Sequence, residues 1–158
     1  MNADSIIFQL QRSNGVIHMQ LKGLSHEDTL LQLPFRGNCM NWTIGHIVAY
    51  RHVIMNLAKA ETPWDDNDYA NYKNGSDPIT SDEQALRLER IVSDLEKSQE
   101  IIEAALNALT DEELAEVVDE KSGSTRAQRL VFMAWHECYH SGQTEILRQL
   151  AGTDDKVI

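Results

Sequence analysis

The stretch ALRLERIVSDLEKSQEIIEAALNAL, residues 85–109, decides how the rest of the chain is read. Ala85, Leu88, Val92, Leu95, Gln99, Ile102, Leu106 and Leu109 follow one another in alternating steps of three and four. A helix of about 3.6 residues per turn brings such positions onto one face, so the stretch is an amphipathic helix with one apolar seam. Only Gln99 interrupts that seam. Ser81 and Gln84 stand ahead of it at the spacing of a capping box, which predicts a helix beginning at Ser81. Its apolar stripe needs partners, and the flanking sequence offers them as helices.

Downstream, an acidic connector covers residues 110–123. Its Val117 and Val118 fit either a turn of helix or a short extended pair. A further helix then runs from a cap at Ser124 or Thr125 to Leu150, with Gly152 just past its end. Upstream, residues 61–80 hold two prolines, the turn pair Asn74-Gly75 and Trp64, Tyr69 and Tyr72 without a helical period. This reads as a long crossover, which lets the helices on either side run parallel. Before it, Asn41 is a suitable cap for a helix reaching about Ala60. That helix is apolar on two faces, Ile44, Ile47, Ile54 and Ala58 on one and Trp42, His46, Val53 and Leu57 on the other, which predicts a central place in the packing. Ile6, Leu10, Ile17, Leu21 and Leu24 define a first helix over residues 4–24, weakened but not ended by Gly15. The expected fold is all-α, a four-helix bundle with a long crossover between helices 2 and 3, forming a single domain over residues 1–158.

Composition narrows the function. A net charge of -11 without a basic stripe repels phosphate backbones, so nucleic acid is not an expected partner. No window approaches the roughly 18 apolar residues of a membrane span, and the opening MNADSIIFQL has no basic start leading into an apolar run. Cys39 and Cys138 form no Cys-x-x-Cys pair and signal no disulfide framework, which fits a reducing compartment; the expected location is the cytoplasm.

The chemistry gathers on histidine. His136 and His140 are four residues apart on the fourth helix, about 40° from one another around its axis, so both imidazoles can reach one point. Phe132, Met133, Gln143, Leu147 and Leu150 share their face, which predicts that the two rings look into the core. His46 lies on an apolar stripe of the second helix and offers a third inward imidazole. Three neutral imidazoles with open positions make a divalent-metal site able to polarise a bound water or substrate, whereas structural zinc sites are closed by four protein ligands. His18, His26 and His52 lack such a setting and read as surface or packing residues. Residues 136–140 also match His-Glu-x-x-His, the zincin pattern in which the glutamate is a peptidase's general base. The metzincin continuation fails at Gln143 and Ile146, so a third ligand has to come from upstream. Glu137, about 100° from His136, is the candidate catalytic group, expected either at the pocket's border or in solvent. Gln143 is a candidate hydrogen-bond partner for a ligand, and Tyr50 a candidate pocket residue. Cys138 points away from the pair, and the role of Cys39 stays open.

The pattern His136-x-x-x-His140-Ser141-Gly142-Gln143, together with Asn41-Trp42-x-x-x-His46 at the start of the second helix, resembles the DinB-like (DNA-damage-inducible, YfiT-like) family. The likeness extends to the first amphipathic helix, the Leu24-Ser25 turn, the long crossover and the Ser-Thr lead into the fourth helix. It implies a four-helix bundle, often dimeric, whose histidine triad binds zinc, nickel or a similar ion, and it places the ligands on His46, His136 and His140. Despite its name the family is not known for binding DNA. Characterised relatives include metal-dependent transferases and isomerases that use low-molecular-weight thiols, such as bacillithiol S-transferases and mycothiol-dependent maleylpyruvate isomerase. The expected function is therefore a metal-dependent enzyme acting on small thiols or electrophiles, with a small-molecule substrate. The alternatives are a non-catalytic metal or small-ligand binding protein and a zincin-like hydrolase. A homodimer is expected from the resemblance and from the apolar surface of the first and second helices.

Overall fold

The computed structural model describes residues 3–153. Four long helices dominate it: α1 (Ala3–Leu21), α3 (Met40–Leu57), α4 (Leu88–Ala108) and α6 (Arg126–Leu150). Two short ones, α2 (His26–Thr29) and α5 (Asp111–Ala115), sit in the connections. The fold is an all-α four-helix bundle. α1 packs on α4 and α6, and α3 packs on the same two helices, so α1 and α3 face one another across the bundle. Side-chain bonds give the directions. From its start to past its end, α3 meets Leu86, then Leu95, then Glu113, so it runs parallel to α4. Against α6 the order reverses, the His46 ring meeting that of His140, Arg51 meeting Glu137 and the Leu57 carbonyl meeting Arg126. Two parallel neighbours need a connection that travels back the length of α3, about 27 Å at 1.5 Å per residue, and the crossover at residues 58–87 does so.

That crossover is not bare loop. Residues Asp66–Tyr72 form a 3-10 helix packed on α3, with Tyr69 and Tyr72 buried. The Tyr72 hydroxyl donates to Asn41 Oδ1 at 2.8 Å and accepts from the Leu86 N–H, while the Trp42 indole donates to the Asn71 carbonyl. Aromatic residues without a helical period are here anchors: Trp64, Tyr69 and Tyr72 are buried, and the Tyr69 and Tyr72 hydroxyls donate to Asp94 and Asn41, while the Trp64 indole N–H has no partner among the described residues.

Helix ends depart from the local signals for related reasons. Cys39, not Asn41, occupies the N-cap of α3, because the Asn41 amide is buried and occupied with the Leu86 carbonyl and Tyr72. The box at Ser81 does not form: Gln84 accepts from Thr80 instead, residues Asp82–Gln84 make one 3-10 turn, and α4 starts only at Leu88. Its Leu88 N–H reaches Nδ1 of the buried His26, whose Nε2 lies 2.7 Å from Asp82. A cap from a residue distant in the chain leaves no local signature. At α6 the local signal is enough: Thr125 and Gln128 form a capping box, and Gly152 ends the helix at φ +82°. In the connector before it Val117 and Val118 take the extended alternative, in a two-stranded ladder of β1 (Val117–Asp119) with β2 (Ser124–Thr125), while α5 ends ahead of them at Ala115.

α3 is buried around its whole circumference from Met40 to Ala49, while Val53 and Leu57 further along it are half-buried. At its middle lies Arg51, fully buried, with Glu137 of α6 as a two-pronged partner at 2.7 and 3.0 Å. Gln99, the interruption in the α4 seam, accepts from the same guanidinium at 2.9 Å. No helix among the described residues is long and apolar enough to cross a membrane.

Removing one member of a buried ion pair strands the other. Glu137→Ala should therefore lower unfolding stability by about 3–5 kcal/mol, read from urea denaturation of the metal-free protein. Stability within 1 kcal/mol or so of wild type would show that the pair does not hold α6 on α3.

Candidate metal centre

The geometry of α6 begins with which of its positions are buried. Leu130, Met133, Glu137, Thr144 and Leu147 face the core, while Phe132 and Gln143 are exposed. This corrects the expected face: Glu137, drawn in by Arg51, is at its centre, and His136 and His140 stand half-buried at its margin. They open onto a cavity of about 690 Å³ rather than into the core. Glu137 itself, 2% exposed, neither borders that cavity nor meets solvent.

His46 comes from the buried side. Its Nδ1–H donates to the Tyr72 carbonyl at 2.6 Å, which leaves the lone pair on Nε2. Gly45 makes this possible: a Cβ there would fall 2.1 Å from the Tyr72 ring, so only glycine lets the crossover approach α3 this closely. His140 is held the same way, Nδ1–H donating to Gln143 Oε1 at 2.8 Å and Nε2 left as an acceptor. His136 Nε2 stands between them, 3.4 Å from His46 Nε2 and 3.2 Å from His140 Nε2. Its Nδ1 is buried without a partner among the described residues.

Three ring nitrogens thus converge, two of them fixed as acceptors. One proton on His136 can bridge to one neighbour and leaves the other lone pair facing nitrogen. A cation satisfies all three. Metal–nitrogen bonds of about 2.0 to 2.1 Å at a tetrahedral angle place ligand nitrogens about 3.3 to 3.4 Å apart, close to the two spacings that His136 Nε2 makes, and all three ligand nitrogens lie within 4.8 Å of one another. The donor set and its geometry fit a divalent metal, and these three residues are a group that could hold one. Burial, the main cause, pushes His46 down to about 4, with the two neighbouring histidines adding and the Tyr72 bond opposing. Burial and then His140 push His136 to about 4 as well, and burial lowers His140 against the Gln143 bond. All three are neutral at neutral pH, the state a metal ligand requires.

The chain belongs to the DinB superfamily. Its family profile matches residues 9–144. A conserved protein from Enterococcus faecalis, known from a crystal structure, has the same fold at a TM-score of 0.75 and 19% identity, over 97% of this chain and 99% of that one. No curated protein matches the chain. As in the superfamily at large, the three-histidine group fits metal binding.

Around the DinB cluster the rings stack. Trp42 lies flat on His46 with centroids 4.5 Å apart, and Tyr50 borders both His46 and His136 at 4.5 and 4.8 Å. The other histidines are elsewhere: His26 caps α4, His52 bonds to Asn56 and Thr62, and His18 lies 4.0 Å from Glu96. Cys39 is buried against the Ile79 carbonyl, and burial raises its thiol pKa; Cys138 meets Ser13 on the far side of α6. Neither sulfur joins the nitrogens. The Tyr72 carbonyl was invisible to motif reading because a backbone oxygen has no sequence signature; Gly45, next to His46, was the one local hint.

The depressed values carry a sign. Above the ordinary histidine pKa of about 6.5 both folded and unfolded chains are neutral at these sites, and stability is complete. As pH falls from there toward 4, the unfolded chain takes up protons that the native one refuses, and stability drains away. In the metal-free protein the His46 and His136 ring resonances should titrate near pH 4, with thermal stability declining across that window. Titration of both near 6.5 would contradict the buried, neutral cluster.

Proposed function

We propose that this protein is a divalent-metal-dependent enzyme acting on a small thiol or electrophile, of the S-transferase or isomerase type, with zinc or nickel held by His46, His136 and His140. The observation that carries this reading is a cluster of three imidazole nitrogens opening onto a cavity of about 690 Å³, far more space than an ion needs and within the range of small-molecule sites. A metal held there would supply Lewis-acid chemistry, lowering the pKa of a coordinated thiol or water. The chain's own part is placement. The Tyr72 carbonyl and Gln143 fix which nitrogen of His46 and His140 is free, and Trp42 holds the His46 ring in its plane. Phe132 and Tyr139 line the cavity with aromatic surface, which favours an apolar reactant and limits water.

A zincin-like hydrolase fares poorly, because its base would be Glu137, and that carboxylate is engaged by Arg51 away from the cavity. One observation favours the non-catalytic binding reading instead: no carboxylate or thiol among the described residues lines the cavity, so any proton acceptor there is an imidazole or Tyr50.

Elemental analysis of the purified protein should find close to one first-row divalent metal per chain, lost on His136→Ala or His140→Ala. His46→Ala should weaken metal affinity by orders of magnitude while helix content holds. The loaded enzyme should consume a low-molecular-weight thiol together with an electrophile. Metal retained in full by both α6 variants ends the proposal, and bound metal without turnover favours the binding reading.

A homodimer belongs to the same proposal. Exposed apolar residues available for its surface include Phe8 and Met19 on α1 and Trp135 on α6. Light scattering at micromolar concentration should give twice the chain mass, and a monomer removes the dimer.

A further inference from the structure

The chain carries 25 acidic and 14 basic residues, so a cavity of this size would ordinarily be edged by carboxylates. It is edged by none among the described residues. Among the described residues the one charged side chain on its wall is Arg36, in the connection between α2 and α3, and Arg36 forms no ion pair with any described residue. An exposed arginine in so acidic a protein has carboxylates available elsewhere, as Arg87 and Arg90 do with Glu89 and Asp68. Arg36 instead shares a cavity wall with Phe35, Phe132, Tyr139 and Ile146. An unpaired guanidinium beside aromatic and aliphatic surface is complementary to a molecule with an anionic end and an apolar body.

We propose that the cavity binds a small organic carboxylate with an apolar, aromatic-sized body, and that Arg36 pairs with its carboxylate group. The inference rests on the reading that the cavity is a substrate site, and it names the class: the thiol or the electrophile is an acid. A planar carboxylate matches the two-pronged donor face of one arginine, whereas a phosphate dianion would leave charge unmatched on a wall with a single cation among the described residues. The aromatic lining buries the body, and Arg36 sets which end enters last.

The test uses the full chain, zinc-loaded and metal-free, titrated calorimetrically with 3-phenylpropanoate and its uncharged partner 3-phenylpropanamide. Wild type should bind the acid about tenfold or more tightly than the amide in both forms, the worth of a charged hydrogen-bonded pair. Arg36→Gln should remove that preference in both forms while zinc affinity and helix content stay unchanged, and Arg36→Lys should restore part of it. A preference that survives Arg36→Gln overturns the proposal, including the case in which it disappears only when zinc is removed, since the metal would then be what holds the carboxylate. Absence of binding by either probe overturns it too. A chain that fails to bind zinc but keeps the Arg36-dependent preference would refute the metal-enzyme reading and leave this inference standing.

Discussion

A guanidinium cannot be neutralised at any pH a folded protein survives, so burying one obliges the surroundings to meet its charge and its five N–H donors. Arg51 is buried completely, and every donor is met: Glu137 takes two, and the Leu95 carbonyl, Ser98 and Gln99 take the rest. The partners belong to α4 and α6, so one side chain of α3 fixes the rotation of two neighbouring helices. Hydrophobic contacts alone would tolerate a turn of α6 by one residue, since aliphatic cores accept many arrangements of similar volume. A charge with directional bonds does not. Because Glu137 has to face Arg51, its chain neighbour His136 is carried to the edge of the core, and His140 follows one helical turn on.

The same logic is repeated at the helix ends. Arg126 spans from α6 to the Leu57 carbonyl at the end of α3, and Arg148 reaches the carbonyls of Gln20 and Lys22 at the end of α1. Cations at helix C-termini satisfy orphaned carbonyls and oppose the negative end of the helix dipole. Thus α6 is fastened to α1 near one end and to α3 near the other, with the ion pair between. The histidine pair thus sits on a helix held at both ends and in the middle, which is what a site needing precise ligand placement requires.

Four helices were legible from the sequence because their apolar spacing repeats over many residues, and His136 and His140 stood out because a four-residue interval on one helix has few other readings. What could not be read depended on partners far away in the chain. Gln99 looks like a flaw in a seam until Arg51 is placed beside it. Asn41 has every attribute of a cap, yet the buried amide does more by joining the Leu86 carbonyl to Tyr72. Glu137 is polar on a helix and so reads as solvent-facing or catalytic; only the depth of Arg51 turns it inward. The start of α4 was misread by several residues for the same reason, its cap being His26 rather than a neighbour. Each miss is a polar side chain whose role is set by tertiary pairing, and periodicity registers apolar burial only.

The acidic composition contrasts with a cavity wall on which no described residue is an acid, and this bears on the histidine cluster. Imidazoles kept neutral by burial donate lone pairs but no charge, unlike a ligand set containing carboxylates or thiolates. A divalent cation held by such donors would keep nearly its whole charge, beside aromatic rings that lower the local dielectric. The countercharge would then come from whatever enters the cavity. Had a carboxylate lined the wall, it could have taken the open coordination positions itself and closed the site. Turning Glu137 onto Arg51 serves both ends: it pins α6, and it withdraws from the neighbourhood of His136 and His140 the one acid that the chain places between them.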